Sequence, residues 1–81
     1  MTVRIRFFAG LVPIVGEKSI EMALPPGATV GTLRDQLVTQ YPVLEPYMTT
    51  YVCAVSEEMR MPEYVLTDGD LVDVIPPIAG G

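Results

Sequence analysis

The sequence predicts an α+β fold of two layers, a small sheet carrying one main helix. Three observations predict it. Apolar residues alternate in "VRIRFFA" and "SIEMAL", recur every three or four positions from Val30 to Tyr41, then run together in "YVCAV" and "LVDVI". Those are the periods of two strands, a helix and returning strands, and such elements bury their apolar sides only by packing sheet on helix. Glycine and proline fall between the periodic stretches, at "PPGAT" and "TDGD", where turns are required. Size does the rest: 81 residues with a hydrophobic fraction of 49% suffice for one core and no second domain.

In the first strand Val3, Ile5 and Phe7 share one face and Arg4, Arg6 and Phe8 the other. "GLVPIVGEK" reads as a connecting loop on its two glycines and its proline. "SIEMAL" turns Ile20, Met22 and Leu24 inward and completes an antiparallel hairpin. Thr29 is placed to cap the helix, with Thr32 where a capping-box acid would stand, so the cap reads as ordinary. Val30, Leu33, Leu37 and Tyr41 form the helix stripe; Arg34, Asp35, Gln36 and Gln40 take the wet side, and Pro42 ends the helix. "VLEPYMTT" fits a short helix or a loop, "YVCAV" a strand, and "SEEM" a turn. "RMPEYVL" reads as a weak strand that Pro62 confines to an edge or bulge, and "LVDVI" is the last strand.

Strand, strand, helix, strand, weak strand, strand is the order of the β-grasp, or ubiquitin-like, fold: a mixed four- to five-stranded sheet on one helix. The expected domain spans residues 1–75, with an extended, flexible Gly-Gly tail at 76–81. The expected core is Val3, Ile5, Phe7, Ile20, Met22, Leu24, Val30, Leu33, Leu37, Val52, Ala54, Leu66, Val72 and Val74.

Composition excludes most chemistry. Ten acidic residues face five basic ones, a net charge of -5, which disfavours nucleic acid and anionic membrane as partners. "FFAGLVPIVG" after two arginines superficially mimics a signal peptide, but Pro13 interrupts it and no cleavage site follows. No apolar run approaches the ~20 residues of a membrane span. Histidine is absent, removing the commonest general base and metal ligand, so no metal site is expected. Cys53 is the single cysteine; it can form neither an internal disulfide nor a cluster site, and it suits a reducing, cytoplasmic setting. In mid-strand it reads as a small buried hydrophobe; the alternative, a persulfide carrier, needs an exposed thiol of low pKa. Glu57 and Glu58 read as solvated turn residues.

The remaining candidate is the end of the chain, "IPPIAGG". Pro76 and Pro77 favour an extended, stiff backbone that cannot continue a ladder. The six residues from Pro76 reach roughly 20 Å at full extension. Gly80 and Gly81 lack a β-carbon and can thread a narrow channel. The carboxylate of Gly81 can attack the α-phosphate of ATP to give an acyl adenylate, an electrophile for sulfur or an amine. Nothing in the chain binds ATP, so a partner must.

With "FFAG", "PPGATV" and "LTDGDLVDVIPP" before the closing "GG", the chain resembles the MoaD-type small subunit of molybdopterin synthase, within a group that includes ThiS-like sulfur carriers and ubiquitin-like modifiers. The resemblance covers essentially the whole chain. It implies that an adenylating enzyme of the ubiquitin-activating type uses ATP on Gly81, that a sulfur donor converts the adenylate to a thiocarboxylate, and that no cofactor is bound. It implies a heterotetramer with the large synthase subunit, in which the tail delivers sulfur to a pyranopterin precursor. It places Phe8, Met59 and Ile75, with Pro76 and Pro77, on the partner surface. Four positions depart from the family pattern: Val12 and Pro13 replace an Arg-Glu pair, Ser56 an asparagine, and Ala79 a serine or threonine. A carrier for another pathway, a lysine-conjugated modifier and a plain interaction module remain as alternatives.

Overall fold

The computed structural model of the chain describes residues 1–76. Its elements are β1 (Thr2–Phe7), α1 (Leu11–Val15), β2 (Ser19–Ala23), α2 (Val30–Gln40), a 3-10 turn (Pro42–Leu44), α3 (Glu45–Met48), β3 (Val52–Val55), β4 (Glu58–Met59) and β5 (Leu71–Ile75). The strands form one sheet in the order β2-β1-β5-β3-β4. β1 pairs antiparallel with β2 and parallel with β5, while β3 runs antiparallel to both β5 and β4. This is the mixed sheet of a β-grasp domain, with α2 closing its inner face over Val3, Ile5, Val72, Val74, Leu33 and Leu37, all at most 1% exposed.

The start of α2 shows why this helix forms here. The first amides of a helix have no intrahelical acceptor. Val30 donates to the Tyr64 carbonyl and Gly31 to the Pro62 carbonyl, each at 2.9 Å. Thr32 donates to Thr29 Oγ1 at 3.2 Å, and Thr32 Oγ1 accepts from the Thr29 amide at 3.2 Å. A full capping box is therefore present, with a threonine doing the return bond usually made by glutamate; the cap is not the ordinary one expected. Gly31 serves the close approach: a β-carbon there would sit 3.3 Å from the Pro62 carbonyl oxygen.

The same bonds explain a second correction. "RMPEYVL" forms no sheet strand, since the carbonyls of Pro62 and Tyr64 are taken by the helix start and Val65 makes only an isolated bridge with Thr29. The fifth strand lies earlier, at Glu58–Met59 within the expected "SEEM" turn. Ser56 and Glu57 turn the chain there with φ of 52° and 68°. Positive φ at both central residues is what a two-residue hairpin loop needs, and it lets the strand resume at once.

The stretch "GLVPIVG" contains α1 where a loop was expected. Pro13 falls in its first turn, where a missing amide costs nothing, and Gly16 closes it in the left-handed conformation at φ 89°. Leu11 is thereby fully buried. In β3 the register is opposite to the expected one. Cys53 and Val55 join the core, Val52 is half-buried, and Ala54, although buried, lies on the outer face opposite Asp73. Ile20 and Tyr41 are half-buried rather than enclosed. Leu44 and Met48, from the segment left between helix and loop, complete the core. Arg34 is also drawn in from the wet side, its Nη2 donating to the Met48 carbonyl.

Candidate functional site

The inner face of the sheet is committed to the core, so a site must lie on its outer face or on the helical layer. The helical layer has an open groove of about 600 Å³ between α2 and α3, lined by Arg34, Asp35, Val38, Glu45, Met48 and Pro62 among others. Its lining contains no cysteine, serine, lysine or histidine, and no group of metal-ligating side chains occurs among the described residues. Cys53 is 2% exposed on the core side. Burial pushes its thiol pKa up, with Arg34 drawing it only partly back. A protonated, enclosed thiol is a poor nucleophile, which opposes the persulfide alternative. Native protein is expected to resist a thiol-reactive disulfide reagent and to react fully once unfolded. Because folding disfavours the thiolate, stability is unaffected below the unfolded thiol's pKa and falls as pH rises through and above it; a urea titration across that range checks the sign.

The outer face is different. By alternation from the core positions it presents Arg4, Arg6 and Phe8 from β1 and its end, Leu71, Asp73 and Ile75 from β5, Val52 and Ala54 from β3, and Met59 from β4. Phe8 is 38% exposed and Met59 70%. β5 runs parallel to β1, so one step beyond the Phe7–Val74 pair Ile75 emerges beside Phe8. Pro76 follows, half-buried. The exit of the tail is thus held between two neighbours, β1 and β3, with Val52 opposite Ile75.

Of the residues singled out in the sequence, Phe8, Ile75 and Pro76 come together at this exit. Met59 lies on the same face but two strands away, opposite Ala54. Pro77, Gly80 and Gly81 lie outside the described residues. Glu57 and Glu58 are exposed as expected, Glu58 meeting Arg60 at 2.7 Å.

Sequence reasoning passed over the centre of this face. Asp73 is buried there and accepts from Arg6 Nε at 2.6 Å and Nη2 at 2.8 Å. Hydrogen bonding to the Asp73 carboxylate holds the Arg6 guanidinium above its ordinary pKa, so it stays charged. Its carbon also lies 5.6 Å from the centre of the Phe8 ring, within range of a cation–π contact. The signal was an acid between Val72 and Val74, in a strand otherwise apolar, at the parity of Arg6.

The domain is of the ubiquitin-like kind, and its last strand ends in the middle of the sheet at the edge of an outer face that mixes apolar residues with the Arg6–Asp73 pair. The ThiS family model matches residues 5–81, and the chain belongs to that family. It is 32% identical to the molybdopterin synthase sulfur carrier subunit of Chlamydomonas reinhardtii over 100% of both chains. It is also 32% identical to small archaeal modifier protein 3 of Haloferax volcanii, again over 100% of each. The crystal structure of SAMP1 from Haloferax volcanii superimposes with a TM-score of 0.89 at 24% identity, covering 100% of both chains, which shows the shared fold.

Proposed function

We propose that this chain is a sulfur carrier that works as the small subunit of a molybdopterin synthase. The observation that carries the reading is the exit of β5: the central strand ends at Ile75 beside exposed Phe8, so a partner that covers the outer face also receives the tail. The Gly81 carboxylate attacks the α-phosphate of ATP on a ubiquitin-activating-type enzyme and pyrophosphate leaves. Sulfide sulfur then attacks the acyl carbon, AMP leaves, and a thiocarboxylate remains. Docked on the large subunit through Phe8, Ile75 and Met59, the domain feeds Pro76, Pro77, Gly80 and Gly81 toward the active site, where the sulfur passes to a pyranopterin precursor. The domain supplies rigid placement; the tail supplies reach and the reacting atoms. The names of the relatives and the absence of histidine support this reading.

The likeness to an archaeal modifier favours a second reading, in which the same activated carboxyl is passed to a lysine. One measurement separates the two. The chain is incubated with ATP, the cognate adenylating enzyme and sulfide, and its intact mass is read. The carrier gains the difference between a sulfur and an oxygen atom, and the thiocarboxylate so formed takes up one group from a thiol-alkylating agent on its sulfur. Isopeptide adducts in place of that product identify the modifier.

A further inference from the structure

On the outer face, the charged pair Arg6–Asp73 sits among apolar neighbours: Leu71, Ile75 and Ala54 beside Asp73, and Phe8 beyond Arg6. The Asp73 side chain is 9% exposed and the Arg6 side chain 43%. The carboxylate is therefore already enclosed, beneath a guanidinium that still faces water. Two of the five guanidinium N–H groups are engaged with Asp73. Among the described residues Nη1 has no acceptor, so water completes its hydrogen bonding in the free domain.

A partner that covers this face removes that water. A buried ion pair is tolerated only when its remaining donors and acceptors are met; left half-satisfied, it costs more than an apolar pair of the same shape. Asp73 is served by Arg6. The unmet group is the outward edge of Arg6, which is fixed in place by two bonds to Asp73 and by the Phe8 ring. We infer that Arg6 is a specificity-determining residue of the docking face, and that the partner covering it presents an apolar surface with a carboxylate placed against Arg6. This rests on the carrier reading above, because the partner is the large subunit.

The commitment to a carboxylate follows from geometry and charge. A guanidinium edge presents parallel N–H groups that a carboxylate accepts together. A wholly apolar partner surface would leave Nη1 unmet and would be rejected. Arg6 thereby selects among partners that share the apolar patch.

The test uses the full chain and its large subunit, with dissociation constants measured by calorimetry at low and high salt. Five carriers are compared: wild type, Phe8→Ala, Arg6→Leu, Arg6→Lys, and the double variant Arg6→Leu with Asp73→Leu, which replaces the pair by apolar residues and leaves no charge unmatched. The double variant is expected to bind at least tenfold more weakly than wild type and to lose part of the salt dependence. A glutamine scan of the large subunit's exposed carboxylates is expected to find one whose loss weakens wild type by a similar factor and the double variant not at all. If the double variant binds within twofold of wild type while Phe8→Ala binds weakly, the inference about Arg6 fails and the carrier reading stands. If wild type does not bind the large subunit, both fail. Thermal melts of each variant confirm the fold, and Arg6→Lys, which keeps the charge and loses the fork, is expected to recover binding only in part.

Discussion

A chain that stops at Gly80 is expected to take up no sulfur. The shortened carrier still ends in a glycine carboxylate of the same size and charge, so its chemistry is unchanged. Only its reach differs. The tail starts from a fixed point, because Ile75 is paired with β3 and lies beside β1, and one residue fewer draws the acid back by roughly 3.5 Å. Reacting atoms must approach within about 3–3.5 Å in an aligned pose, and misplacement by even ~1 Å costs of the order of 10²-fold. Mass spectrometry after incubation with ATP, the adenylating enzyme and sulfide is expected to show no thiocarboxylate on the truncated chain. A thermal melt unchanged from wild type assigns the loss to reach and not to folding. Sulfur uptake at the wild-type rate would show that the reach of the tail is not what limits the reaction.

Leu33→Ala is expected to lower stability by about 3 kcal/mol, in the range of buried leucine truncations. Leu33 is fully enclosed, in the first turns of α2, whose start is tied to the 60s loop by the Tyr64 and Pro62 carbonyls. The side chain's loss leaves a void that the helix cannot close without breaking those bonds. A domain of this size has a small stability to lose, so the variant is expected to be partly unfolded at growth temperature. Val65→Ala, at an exposed position, is expected to change stability by no more than about 0.5 kcal/mol. Urea denaturation of both measures the contrast.

The sequence made β1, β2 and α2 legible because each alternates or repeats with a clear polar face, and β5 because its short, nearly apolar run follows the turn signal of "TDGD". Arg4 and Arg6 set the parity of β1, and Asp35, Gln36 and Gln40 mark the outward side of α2. β3 had no such marker: every residue of "VCAV" is apolar, so its parity was decided by pairing with β5. The glycines and proline of "GLVPIVG" were legible as breakers, yet at the two ends and first turn of a helix they serve as its boundaries. The loop at 60–66 was misread because its carbonyls serve a helix distant in sequence, which no local pattern records. At the site, the apolar positions Phe8 and Ile75 were legible from alternation and resemblance. The Arg6–Asp73 pair was not, because its members are separated by 67 positions and meet only through the parallel pairing of β1 with β5.

That parallel pairing also governs how the domain withstands force. A pull on the tail loads β5 along its own axis, sliding it against β1 and β3 together. Several ladder bonds must then rupture at once, where an edge strand peeled sideways would surrender them singly. Machinery that grips the end of this protein and hauls meets its strongest mechanical resistance at the first strand it reaches.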